Sequence, residues 1–162
     1  MTQKATSPKL SFQLLCHSPL IHFQANEDGA TLRASEVKPK LDAYLISKLN
    51  PTKREWYVQL GKNQALNYRM KIIHKDASSR FKPEDKNIQN FPIFYGKGKK
   101  LVLSDPVVTI TCFIPDLLKA IEEPIADFFI VTNFGAMQHK GFGSFTIKEN
   151  TPDSQKIGQI LG

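Results

Sequence analysis

The sequence predicts one α+β domain built around an antiparallel sheet. Alternating apolar and polar residues predict four strands, and two segments with apolar residues at helical spacing separate the first strand from the second and the third from the fourth. The 162 residues suffice to bury one core. We expect the domain to cover residues 1–150 and to leave residues 151–162 as a C-terminal tail.

The first strand and the first helix are predicted in the N-terminal third of the chain. Residues 10–17 (LSFQLLCH) form an apolar run that Pro19 ends. Ser35 is a suitable N-cap for the next segment, and Pro39 falls in its predicted first turn, where a missing N–H is tolerated. Apolar residues then recur at helical spacing on one stripe, at Val37, Leu41, Tyr44, Leu45 and Leu49.

The second strand is followed by a long insertion. Residues 51–66 show no clear period and are expected to be irregular or weakly helical. Residues 67–74 (NYRMKIIH) alternate polar and apolar side chains, which is typical of a half-buried strand. From residue 75 to residue 100, charge, proline and glycine replace the alternation. Long insertions in compact domains are usually functional or disordered.

The last elements repeat the order of strand and helix. Residues 107–114 (VVTITCFI) are the clearest strand, and Pro115 opens a helix that Pro124 is expected to kink or divide. Gly135 is expected at its C-cap, and residues 142–149 (FGSFTIKE) form the final strand. The whole order matches a ferredoxin-like βαββαβ domain, whose sheet has helices on one face and leaves the other face for a ligand.

The charge favours an anionic partner. Twenty-two Lys and Arg against fifteen Asp and Glu leave a net charge of +7. Nucleic acid is the commonest anionic partner, although solubility alone also explains such a charge. No apolar run could cross a bilayer, and the first residues lack the apolar core of a signal peptide, so we expect a cytoplasmic protein.

The two cysteines predict neither a metal site nor a cofactor. Cys16 and Cys112 are far apart in the chain, whereas structural zinc needs four ligands, usually in close pairs. We expect two reduced thiols in one core region, because the first and third strands should lie side by side in the middle of the sheet. No metal and no cofactor are expected.

The stretch KGFGSF, residues 140–145, begins like the RNA-recognition signature. That signature lies on the third of four strands, whereas only seventeen residues follow Phe145 here, and Ser144 stands where an aromatic residue is needed. The stretch is therefore predicted to be a loop between the second helix and the last strand. Glycines in such a loop permit positive φ and a close approach to phosphate, and Lys140 supplies the opposite charge.

This loop, NFGAMQHKGFGSF at residues 133–145, resembles that of the RAMP superfamily (repeat-associated mysterious proteins) of CRISPR RNA-guided effector complexes. Those proteins are ferredoxin-like and carry a glycine-rich loop in this position. They also share a serine–proline step after the first strand and a characteristic opening of the first helix. The matching positions are Ser18, Pro19, Arg33, Ser35 and Lys38, whereas Pro39 replaces a family glycine and Asp42 stands near the usual arginine.

The resemblance implies a subunit that holds guide RNA by its phosphate backbone, beside other subunits of a ribonucleoprotein. It also implies that the insertion at residues 75–100 is a thumb that meets RNA or a neighbouring subunit, since basic and aromatic residues are interleaved there. The alternative for Lys38 and Lys40 is a solvated helix face. The alternative for the insertion is a disordered loop whose aromatic residues pack on the domain. The expected RNA-binding residues are Arg33, Ser35, Lys38, Lys40, Arg80, Lys82, Lys97, Lys99, Lys100, Gly135, Gln138, His139, Lys140, Gly141 and Gly143.

Histidine is the only plausible general acid–base for RNA cleavage in this sequence. Some RAMP proteins cut their own guide precursor without a metal, and His17, His22 and His139 could converge if the first strand lies near the glycine loop. A histidine at a strand end is more often structural. We therefore expect a non-enzymatic RNA-binding protein. The alternatives are a metal-independent endoribonuclease that processes CRISPR RNA and a protein-interaction scaffold.

Overall fold

The computed structural model describes residues 8–18, 20, 31–74, 105–135 and 141–148. The whole predicted insertion, residues 75–100, and the whole predicted tail lie outside these ranges. The fold is α+β, as the sequence predicts. In chain order its elements are β1 (Lys9–Cys16), α1 (Ala34–Leu49), a 3-10 turn (Arg54–Trp56), β2 (Tyr57–Gln59), β3 (Ala65–Leu66), β4 (Arg69–Ile73), β5 (Val107–Thr111), α2 (Pro115–Glu122), α3 (Ile125–Val131) and β6 (Phe145–Ile147).

The main sheet has four strands in the order β4–β5–β1–β6, and every neighbouring pair is antiparallel. β1 and β5 are central, as expected. Lys9 lies opposite Thr111, so Cys16 and Cys112 are at opposite ends of this strand pair. Both thiols are free, and Cys112 lies beside Pro8, eight positions along β1 from Cys16, or about 26 Å. Such a distance excludes a disulfide between them.

One core lies between the sheet and its helices. Alternate residues of the central strands point into it, and Leu14, Val108 and Ile110 are fully buried. Each helix contributes buried residues to the same cluster. Five phenylalanine rings pack edge to face or tilted around the position where α3 ends, and they are Phe12, Phe128, Phe129, Phe134 and Phe145. The segment that leads into the glycine loop is therefore anchored in the core.

Helix α1 begins one residue before its predicted cap. Arg33 is the N-cap and makes no capping hydrogen bond with its side chain, whereas Ser35 lies inside the first turn, so the prediction for Ser35 was wrong. The backbone of Arg33 is extended, and its carbonyl accepts the first helical bonds, from the N–H groups of Glu36 and Val37. Pro39 consequently lies in the second turn, where its missing N–H removes one helical bond.

Three further boundaries differ from or refine the sequence prediction. Residues 51–66 contain the small β2–β3 hairpin, whose strands are too short for an alternating pattern to stand out. The second predicted helix is divided at Pro124 into α2 and α3. Gly135 is not a C-cap, because α3 already ends at Val131 and Thr132 caps it. Gly135 has a φ of 78° and lies at the start of the glycine loop.

Candidate functional site

The glycine loop is closed at its base by backbone pairing. Asn133 and Ser144 form an antiparallel bridge, and the N–H of Phe134 donates to the carbonyl of Gly143 at 3.0 Å. The Phe134 ring is fully buried, so this base is held from the core side as well. The loop between these residues is thus fixed at both ends, and residues 136–140 lie outside the described part of the chain.

Ser18 joins the end of β1 to the glycine loop. Its hydroxyl donates to the carbonyl of Gly141 at 2.6 Å and accepts from the N–H of Ser144 at 3.0 Å. The N–H of His17 donates to the carbonyl of Ser144 at 2.9 Å. The serine of the serine–proline step therefore clamps the loop onto the sheet. The sequence motif marked Ser18, but only the structure gives it this role.

The described glycines of the loop serve different physical needs. Gly143 has a φ of 68°, and a Cβ built there would lie 1.9 Å from the carbonyl oxygen of Phe134. Gly141 has a φ of 84°, yet a Cβ there would meet nothing within 4 Å. Gly143 is therefore required both by packing and by its backbone conformation, whereas only the backbone conformation favours glycine at Gly141.

An acidic residue occupies a position where the sequence predicted phosphate. The N–H of Gly135 donates to Oε1 of Glu36 at 2.5 Å. Glu36 lies in the first turn of α1, where the helix dipole favours a negative charge. The carboxylate ties α1 to the start of the loop and takes one N–H that a phosphate could have used. Glutamate is common in first turns, so the sequence gave no signal for this contact.

Lys38 is held in a largely buried cluster beneath α1. Its ammonium donates to Oδ2 of Asp42 at 2.8 Å and to the carbonyl of Leu66 at 3.1 Å, and it lies 4.2 Å from the centre of the Tyr68 ring. Asp42 is 3% exposed, and its other oxygen and the Tyr68 hydroxyl have no hydrogen-bond partner among the described residues. These contacts give Lys38 a role inside the fold, and its contact with RNA stays a prediction.

Lys40 and the first residues of α1 border the glycine loop. The ammonium of Lys40 donates to the carbonyl of Asn133 at 2.9 Å and lies 5.1 Å from the centre of the Phe134 ring. Arg33 and Ser35 are exposed at the start of the same helix. The structure therefore brings the predicted residues of the helix start close to the loop. The remaining predicted residues lie outside the described ranges, and they are His22, Arg80, Lys82, Lys97, Lys99, Lys100, Gln138, His139 and Lys140.

Because the Tyr68 hydroxyl is buried, we expect the free energy of unfolding to fall at high pH. Burial raises the pKa of Tyr68 above its usual value of 10.0, and the negative charge of Asp42 raises it further. The folded protein then keeps a proton that the unfolded chain releases above about pH 10, so the free energy of unfolding should fall as pH rises through that region. In Tyr68→Phe, we expect the free energy of unfolding to fall less steeply with pH, by up to about 1.4 kcal/mol per pH unit.

Urea unfolding of wild type and Tyr68→Phe at several pH values around 10 measures this effect. Lysines titrate in the same range, and the difference between the two proteins separates the tyrosine from them. Parallel pH profiles of the two proteins would contradict the prediction.

The described histidines do not converge. Nε2 of His17 lies 2.7 Å from the Thr146 hydroxyl, beside the glycine loop, whereas Nε2 of His74 lies 2.9 Å from the carbonyl of Leu32. His22 and His139 lie outside the described ranges, so the predicted convergence stays untested. Within those ranges there is no group of three or more His, Cys, Asp or Glu that could hold a metal, and no helix is long and apolar enough to cross a membrane.

Comparison with known proteins supports the α+β fold. The chain is similar to a chain in the cryo-EM structure of the Type III-B Cmr-beta bound to cognate target RNA, with a TM-score of 0.52 and 11% identity. The match covers 86% of this chain and 58% of that chain, so the present sequence spans less than two thirds of its solved relative. At this identity the match shows the fold alone. No curated protein matches the sequence.

The fold and the family comparison together define the class. The chain is a RAMP-like domain, which confirms the resemblance seen in the sequence. It belongs to the Cmr1 N-terminal domain family, whose model matches residues 7–162.

Proposed function

We propose that this chain is a non-enzymatic RNA-binding domain of a CRISPR ribonucleoprotein, which takes part in antiviral defence by holding guide RNA through its phosphate backbone. Family membership over residues 7–162 carries the proposal. The similar chain from the Cmr-beta structure, which is bound to target RNA, supports RNA and neighbouring subunits as partners. The net charge of +7 supports an anionic ligand. Two free thiols suit a reducing, cytoplasmic setting.

The proposal also assigns an architecture. The strand order β4–β5–β1–β6 with helices in the connections supports a ferredoxin-like domain within residues 1–150. The basic and aromatic residues between positions 75 and 100 support the proposal that this insertion meets RNA or a neighbouring subunit. RNA would enter along the glycine loop and the start of α1, since Arg33, Ser35 and Lys40 border that loop. A loop clamped by Ser18 and bridged at its base would offer RNA a rigid contact.

The salt dependence of RNA binding tests the proposal. Loss of one lysine–phosphate contact should reduce the slope of log affinity against log salt by about 0.7 for single-stranded RNA. We expect Lys140→Ala to lower affinity for all single-stranded RNA sequences alike and to reduce the slope by that amount. Lys62→Ala is the matched control, because Lys62 is exposed in the distant β2–β3 turn. RNA that co-purifies with the wild type would support the same conclusion.

Other outcomes of this experiment favour the alternatives. Cleavage of RNA in the presence of a chelator, lost in His17→Ala, would identify a metal-independent endoribonuclease instead. The contact of His17 with Thr146 makes that variant the first to examine. No RNA affinity even at low salt would leave a protein-interaction scaffold.

A further inference from the structure

On the face opposite the helices, the described strands β1, β4 and β5 are polar at the end that begins with Lys9, whereas Val107 and Ile73 lie on the same face further along. The side chains of this face come from alternate positions of the strands whose other positions fill the core. Register places Lys9, Thr111 and Arg69 in one row across β1, β5 and β4. The next row contains Ser11, Thr109 and Lys71, and the Ser11 and Thr109 hydroxyls lie 3.4 Å apart. We call these two rows the basic corner.

Three cations of the basic corner differ from the lysines of α1. Lys9, Arg69 and Lys71 are exposed, and none of them has an ion-pair or hydrogen-bond partner among the described residues. Lys38 and Lys40, by contrast, donate to groups inside the fold. No acidic residue occupies an outward position of β1, β4 or β5, so these three described strands do not offset the charge of the corner.

The chemistry of the basic corner fits a sugar–phosphate backbone. Three cations can neutralise phosphates, and the hydroxyls of Ser11, Thr109 and Thr111 can donate to phosphate oxygens or exchange hydrogen bonds with the 2′-OH of ribose. The outward positions of β1, β4 and β5 carry no Phe, Tyr or Trp. Phe113, two residues past Thr111, is 80% exposed, and stacking on such a ring does not select the identity of the base. A face of this kind is suited to hold the strand without reading its sequence.

We propose that the basic corner is a second RNA-contact surface, which holds the phosphate backbone of single-stranded RNA at the opposite end of β1 from the glycine loop. The inference rests on the proposed function and adds a site to it. Lys9 begins β1, whereas Ser18, just past its end, contacts the loop. The backbone of one RNA strand can therefore follow β1 across the sheet and meet both surfaces.

A matched pair of triple variants tests this surface. Lys9→Gln/Arg69→Gln/Lys71→Gln removes the three cations of the corner, and Lys53→Gln/Lys62→Gln/Lys119→Gln removes three exposed lysines elsewhere, with the same change in net charge. The probe is a single-stranded oligouridine, titrated at several salt concentrations. The first variant should lose about 2 units of salt slope, so its affinity deficit relative to wild type should shrink about 20-fold between 50 mM and 200 mM salt. The control variant should keep the wild-type slope.

A charge-retaining variant, Lys9→Arg/Arg69→Lys/Lys71→Arg, separates charge from folding and should keep the wild-type slope. Loss of slope in this variant as well would overturn the proposal, because the substitutions would then act through the fold. Equal losses in the corner and control variants would overturn it as a net-charge effect. If the wild type binds RNA and every variant keeps its salt slope, the proposal of a second RNA-contact surface is overturned, and the proposed function is unaffected. A wild type that binds no RNA would refute the proposed function itself, and this surface with it.

Discussion

Gly143→Ala is expected to lower the free energy of unfolding by about 2–5 kcal/mol. A left-handed backbone costs a residue with a Cβ about 1–2 kcal/mol, and overpacking adds about 1–3 kcal/mol. The overpacking arises because the new Cβ would lie 1.9 Å from the carbonyl oxygen of Phe134. That carbonyl belongs to a buried residue whose own N–H bonds Gly143, so it has little room to move.

Gly141→Ala is the matched control for this substitution. Gly141 also has a positive φ, but the space around its Cβ position is open, so only the backbone cost of about 1–2 kcal/mol is expected. Urea unfolding of the three proteins measures the difference. Equal losses at the two glycines would show that the contact with Phe134 relaxes easily. Of the two glycines, Gly141 is the one whose variants can test a phosphate contact, because a loss of RNA binding in Gly143→Ala would also follow from a displaced loop.

Lys38→Met is expected to destabilise the protein by about 3 kcal/mol, the lower end of the cost of leaving a buried charge unpaired, because Asp42 is buried whereas the Lys38 side chain is 25% exposed. Asp42 would keep a buried carboxylate whose only remaining described donor is the N–H of Leu66, at 3.4 Å. One of its oxygens already lacks a partner in the wild type, so the lost ammonium bond is its main compensation.

Two companion variants make this result interpretable. Lys53→Met breaks the Lys53–Asp116 pair, whose side chains are 51% and 67% exposed, and should cost about 0–1 kcal/mol. Lys38→Met/Asp42→Leu removes both buried charges and should recover most of the stability. Thermal or urea unfolding of the four proteins measures these values. A cost below about 1 kcal/mol for Lys38→Met alone would mean that water replaces the ammonium.

The sequence predicted a helix or strand well where a single local rule, such as apolar alternation or a proline, determines it. The apolar alternation of β1, β4 and β5 follows from a sheet with one buried face. Pro124 divides the second helical segment, since its ring cannot continue a helix. The expectation that one face of the sheet is left for a ligand came from the element order, and it stays a prediction.

Contacts between distant residues could not be predicted from the same rules. Glu36 reaches Gly135 ninety-nine positions away, and Ser18 reaches Ser144 one hundred and twenty-six positions away. Neither contact leaves a local period in the sequence. The burial of Lys38 depends on Tyr68 and Leu66, which the β2–β3 hairpin and β4 bring beneath α1. From its position near a helix start, Lys38 was expected to contact solvent or phosphate, whereas in the structure its ammonium donates to the carboxylate of Asp42.

The hydrogen bonds of Ser18 fix the distance between the glycine loop and the start of β1. Because the hydroxyl bonds the loop at two points, the loop is positioned relative to the sheet. β1 spans eight residues, about 26 Å, between Lys9 and the clamped end. A stacked strand that advances about 3.4 Å per nucleotide needs about eight nucleotides to cover that length. If both proposed surfaces bind RNA, shorter oligonucleotides would occupy one end or the other and only longer ones would gain from both. The length of strand β1 would then set the shortest RNA that both surfaces hold at once.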